Sequence, residues 1–161
     1  RVLTFTYRNY DGRVPTPGAY GEADTALISG ADTTLQTVDD LLHACHFREA
    51  IGAAMGLARE ANRYLEESSP WKTIKTNKGR AGTSLYVAIA VINALKTILF
   101  PFMPFSSEKL HKMLGFGTTI EEDGWRIGVV PPGQDLAQPA PLFVKLDEKV
   151  VEEETNKLGQ V

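Results

Sequence analysis

The sequence predicts an all-α fold, a helical bundle with a loop-rich C-terminal wrap. Three observations carry this. Apolar residues recur at three-and-four spacing from Phe47 to Leu65. A second, wider apolar stripe runs from Leu85 to Leu99. Beyond Phe116 the periodicity gives way to Gly, Pro and short apolar pieces.

The elements follow in chain order. The opening from Arg1 is amphipathic. Thr33 or Thr34 is placed to cap a helix whose inward face carries Leu35, Val38, Leu41 or Leu42, and Cys45. In the next helix Phe47, Ala50, Ile51, Ala54, Met55, Ala58, Ala61 and Leu65 make one stripe, about five turns at roughly 3.6 residues per turn. Ser68-Ser69-Pro70 should stop it near Glu67, because the residue before a proline is pushed out of the α region. Pro also suits the first turn of whatever helix follows, which puts Trp71 at a corner between helices. Thr83 or Ser84 then precedes a long helix with Leu85, Ala88, Ile89, Ile92, Leu95 and Leu99 inward, ended or kinked near Phe100 by Pro101. A further helix starts near Pro104 or Ser106, carries Leu110, Met113 and Leu114, and stops at Gly115.

Phe116 to Pro141 reads as an irregular connection with one short strand at Trp125–Val130. Leu142–Leu146 alternates like a strand or an extended arm, and Asp147 can cap a last helix through Lys157. Residues 1–115 are thus read as the bundle and 116–161 as an irregular extension of the same domain.

Composition narrows the class. The 161 residues, 43% hydrophobic, suit one globular domain. The apolar run from Leu85 to Phe105 is broken by Asn93, Lys96, Pro101 and Pro104, so it reads as a buried helix rather than a membrane span. Cys45 is the single cysteine, which excludes an internal disulfide framework and fits a reducing cytosol. The chain opens with neither an initiator Met nor a signal-peptide layout, as a piece of a longer protein would.

The net charge of −3 argues against a general nucleic-acid coat. The distribution is uneven, however. Acids dominate 22–40, 121–123 and 147–154, whereas Lys72, Lys75, Lys78 and Arg80 follow Trp71 with no acid among them. Arg1, Arg8 and Arg13 form a second basic run. An aromatic plane beside cations offers an unpaired base a stacking surface and its phosphate a partner. In the plainer alternative, a helical interaction module without an RNA role, Trp71 fills a gap between helices and the lysines are solvated.

No Gly-rich phosphate loop, nucleophile elbow or paired-Cys zinc site is present. Asp39, His43 and His46 have the spacing of one helical face and could in principle present three metal ligands, but a solvated face accounts for them better. Glu152-Glu153-Glu154 likewise reads as a solvated face.

Arg1 to Gly12, followed by Ala61-Asn62-Arg63-Tyr64-Leu65-Glu66-Glu67-Ser68-Ser69-Pro70-Trp71-Lys72, resembles the anticodon-binding domain of the methionyl-tRNA synthetase family. Ile98 to Leu110 resembles a segment shared by class I synthetases of the same subgroup, including those for leucine, isoleucine, valine and cysteine. The resemblance implies a helical bundle of the class I anticodon-binding type that grips the CAU anticodon loop of methionine tRNAs. It implies that Trp71 stacks on the wobble cytosine and that Arg1 contacts the same region, with an asparagine about one turn ahead of Arg1. Asn62, Arg63, Pro70, Lys72, Lys75 and Arg8 are candidates for support or phosphate contacts, and Lys78 and Arg80 extend the phosphate-binding run. Arg63 can instead pair with Glu66 or Glu67. The resemblance further implies a cytoplasmic ligase whose ATP, with Mg and with Zn as a second candidate, binds in a separate catalytic domain. This segment itself would hold no catalytic residue, metal or cofactor and touch no membrane.

Overall fold

The computed structural model describes residues 1–143 and 148–157. Its helices are α1 (Val2–Asn9), α2 (Glu22–His43), α3 (Phe47–Ser68), α4 (Pro70–Thr73), α5 (Lys78–Ile98), α6 (Pro104–Met113), α7 (Ile120–Asp123) and α8 (Glu148–Lys157). No strand occurs among the described residues, so 125–130 is loop, and a single bridge joins Arg13 to Asp135. Val144–Leu146 and the capping residue Asp147 lie outside the described residues.

The buried α5 is the hub, packing against α1, α2, α3, α4 and α6. Leu85, Val87, Ala88, Ile89, Val91, Ala94 and Ile98 are all within 1% of full burial, so the one helix among the described residues with the length and hydropathy of a membrane span is the core of the bundle. It begins six residues earlier than a cap at Thr83 would place it. Asn77 is the cap, its side chain accepting from the Arg80 N–H at 2.9 Å, while Thr83 sits inside the helix and donates to the Gly79 carbonyl.

The start of α2 also moves, from Thr33 or Thr34 to Gly21. There the Asp24 carboxylate accepts from the Gly21 N–H at 2.8 Å. Both threonines lie mid-helix, where their hydroxyls donate to the carbonyls of Ser29 and Gly30 four residues back. Cys45 is not inward: it is exposed in the turn after α2, with φ of 58°. On α3 the buried edge is Ala50, Ala54, Leu57, Ala61, Tyr64 and Leu65, whereas Phe47, Ile51 and Met55 face solvent. Small residues let α2 and α5 approach closely, so they, and not the largest side chains, set the helix's rotation.

The segment after α6 folds back along the bundle. Gly115 starts it with φ of +86°, and a Cβ there would lie 2.0 Å from the Asp135 carbonyl oxygen, so only glycine fits. Val14 donates to the Gln134 carbonyl, Gly133 to Val14 and Leu136 to Gly12, which seats Val130 and Leu136 in the core. His111, fully buried, stacks on Phe116 with ring centroids 4.6 Å apart, and the Lys96 ammonium lies 5.0 Å over the same ring. Burial, then the nearby Lys96 charge, push the His111 pKa below its ordinary value.

Candidate nucleic-acid interface

The corner between α3 and α5 is built by local chemistry. Ser69 closes α3 in the left-handed region (φ 39°), its N–H bonding the Leu65 carbonyl and its hydroxyl donating to the Glu66 carbonyl at 2.6 Å. Pro70, buried, opens the single turn of α4. The Thr73 hydroxyl donates back to the Ser68 carbonyl, tying the turn to the helix before it.

Trp71 is half-buried against the core edge with part of its ring at the surface. The Arg1 guanidinium lies 4.5 Å from the ring centroid, a cation–π stack. Arg1 precedes α1 as its cap residue, and its carbonyl accepts the Phe5 N–H. Together with Thr4, Asn62 and Glu66 these two residues line a groove of about 810 Å³. Ile92, Leu95, Leu110 and Met113 contribute apolar lining, and Pro139–Leu142 forms part of the wall. That wall is pinned by Lys109, whose ammonium donates to the Pro141 carbonyl at 2.6 Å.

The other candidates separate. Asn62 is exposed on the groove. Lys72 and Lys75 are exposed on the corner and have no acidic partner among the described residues. Arg63 is exposed and pairs with Glu60, one turn before it, instead of with Glu66 or Glu67. Arg8 is exposed but at the far end of α1, about 10 Å along the axis from Arg1, and is not brought to the groove. Lys78 lies 5.2 Å over the Tyr10 ring.

Arg80 is already engaged inside the bundle. Its guanidinium grips the fully buried Asp24 carboxylate in a fork at 2.5 and 2.8 Å, because a buried carboxylate needs a paired cation. Tyr64 donates to the same group at 2.5 Å. The Arg80 hydrogen bond, with that from Tyr64, holds the Asp24 pKa at about 2. Burial and the Asp24 contact push the Tyr64 hydroxyl up to about 12. Sequence reasoning missed Asp24 as a partner of this corner; its only local signal is the capping pattern from Gly21 to Asp24.

Asp39, His43 and His46 do not share a helical face. The left-handed Cys45 breaks the register, His46 caps α3, and His43 Nδ1 lies 2.9 Å from the Asp39 carbonyl oxygen. Among the described residues no three His, Cys, Asp or Glu side chains cluster as metal ligands.

Residues 14–161 match the family described as the anticodon binding domain of methionyl tRNA ligase. The chain is 49% identical over 159 residues to methionine–tRNA ligase of Dehalococcoides mccartyi, covering 99% of this chain and 29% of that protein. It is 41% identical to the Roseiflexus castenholzii ligase, covering 98% of this chain and 31% of the relative. The chain therefore spans less than a third of the curated relatives it matches. Among solved structures, free methionyl-tRNA synthetase of Mycobacterium tuberculosis superposes with a TM-score of 0.82 at 30% identity, covering 91% of this chain and 30% of that one. The methionyl-adenylate-bound form gives 0.81 at 31% identity, covering 89% of this chain and 29% of the other.

Proposed function

The chain belongs to the family of methionyl-tRNA ligase anticodon-binding domains, and from that premise we propose that it reads the CAU anticodon loop of methionine tRNA with the groove between Arg1 and Trp71. Trp71 supplies the stacking plane for the wobble cytosine. Arg1 is the fork beside it, able to bond a base edge or a phosphate once it leaves the ring face it covers. Asn62 and Pro70 shape the corner, and Lys72 and Lys75 neutralise phosphates. Residues 1–115 form the reading bundle and 116–161 its extension in the same domain. The parent enzyme, in this reading, works in the cytoplasm, attaching methionine to tRNA with ATP and Mg, and with Zn as a further candidate, in a catalytic domain outside this chain.

The observation that carries the reading is the 4.5 Å Arg1–Trp71 stack in a groove, with Lys72 and Lys75 next to Trp71 in the chain exposed and without an acidic partner among the described residues. Titration of stem-loops bearing CAU, CAG and CAC loops tests it. CAU should bind preferentially, and Trp71→Ala should cost about 1–3 kcal/mol, roughly fivefold to 150-fold in affinity. Equal binding of the three loops would sink the methionine assignment. An unfolded Trp71→Ala protein, with no RNA response in the parent, would make Trp71 a scaffold residue.

A further inference from the structure

Three helices of the bundle meet on one carboxylate. Asp24 of α2 is fully buried, and each of its oxygens accepts two hydrogen bonds. Oδ1 accepts from Tyr64 Oη at 2.5 Å and Arg80 Nη2 at 2.8 Å, and Oδ2 from Arg80 Nη1 at 2.5 Å and the Gly21 N–H at 2.8 Å. Tyr64 lies in the last part of α3 and Arg80 in the first turn of α5. Between them, residues 65–79 form the corner that carries Trp71. Both ends of that corner are therefore tied to a single side chain.

We propose that Asp24 is the positioning residue of this corner: by holding Tyr64 and Arg80 on one carboxylate it sets where the Trp71 ring sits beneath the Arg1 guanidinium, and so sets discrimination at the wobble base. The inference rests on the anticodon-reading role of Trp71 proposed above. Helix packing alone does not supply this restraint. α2, α3 and α5 already share a core that includes Leu27, Ala31, Ala54, Ala61, Leu85 and Ala88, which are small or aliphatic and fix separation more than register along the axis. A buried charge pair adds little net stability over apolar packing, but its fork geometry admits few arrangements. The corner needs such a restraint, since it contains a left-handed Ser69, one turn of α4 and a run of turns to Asn77.

The test uses the full chain with Trp125→Phe, which leaves Trp71 as the sole tryptophan of the two. Asp24→Asn, Tyr64→Phe and Arg80→Lys are compared at a temperature where far-UV circular dichroism shows each folded. Acrylamide quenching of Trp71 without RNA reads the corner directly, and the affinity ratio for CAU over UAU stem-loops reads discrimination. Asp24→Asn should change the quenching constant and lower the ratio about tenfold, and Tyr64→Phe about threefold. Arg80→Lys, which keeps the charge and loses the fork, should fall between the parent and Asp24→Asn. Folded variants with the parent's quenching and the parent's ratio would overturn the proposal. If Asp24→Asn does not fold, Tyr64→Phe decides alone. If the parent itself shows no preference for CAU, the anticodon-reading role fails, and the quenching comparison decides whether Asp24 sets the corner.

Discussion

A carboxylate with four donors and no solvent ionises far more readily in the fold than in the unfolded chain. Asp24 titrates at about 2 instead of the ordinary 3.8, so its stabilisation is complete above about pH 4 and disappears as the pH falls toward 2. The lost contribution is on the order of 2 kcal/mol. Urea unfolding of the parent and of Asp24→Asn should therefore differ most near neutrality, with the gap narrowing between about pH 4 and about pH 2. A gap constant over that range would show that the charge is not what Asn removes. Tyr64 has the opposite sign: with its hydroxyl raised to about 12, its tie is present below about pH 10 and is lost as the pH rises beyond it. At this scale the corner at Trp71 was legible from an aromatic after a proline, and Arg1, which the structure stacks on that ring, was brought beside it only through the resemblance. Arg80 was misread because its partner lies 56 residues away, and a run of cations carries no mark of which one is already paired.

At the scale of the helix, rotation decides which substitutions cost stability. Leu85 is fully buried at the centre of α5, whereas Ile51 and Met55 of α3 are 40% and 44% exposed. Leu85→Ala should destabilise by about 2–5 kcal/mol through lost transfer energy and the cavity left behind. Ile51→Ala and Met55→Ala should stay within about 0.5 kcal/mol. Urea denaturation midpoints check all three, and a large loss at Ile51 would mean that this face is covered in solution. The sequence pattern located α3, its stop at Ser68 and the break before Pro101. It failed on the phase of α3, since large apolar side chains were counted as inward when alanines hold the contact. It placed the starts of α2 and α5 too late because Thr is both a cap former and a residue that bonds back to the preceding turn. The C-terminal wrap was read as loop-rich, but nothing local announced that Pro139–Leu142 would wall the groove, a placement made by the distant Lys109 and Met113.

For the molecule as a whole, the proposed function asks an acidic protein to hold a polyanion. The net charge of −3 opposes the encounter, but charges separated by more than about 8 Å are largely screened at physiological salt. The field at the corner is then that of Arg1, Lys72 and Lys75, offset by Glu66, with Arg80 engaged in the Asp24 pair. Flexible ammonium groups neutralise phosphates without reading bases. Lys72→Gln with Lys75→Gln should therefore weaken CAU, CAG and CAC stem-loops by the same factor. The slope of log affinity against log salt should shrink by about 1.4 for two contacts to single-stranded phosphates. Asp24→Asn should do the reverse, lowering the preference for a CAU over a UAU loop and leaving in place the slope set by Lys72 and Lys75. Stem-loop titrations at several salt concentrations measure both quantities at once. A loss confined to the CAU loop in the lysine variant would assign those side chains to base reading instead of phosphate neutralisation.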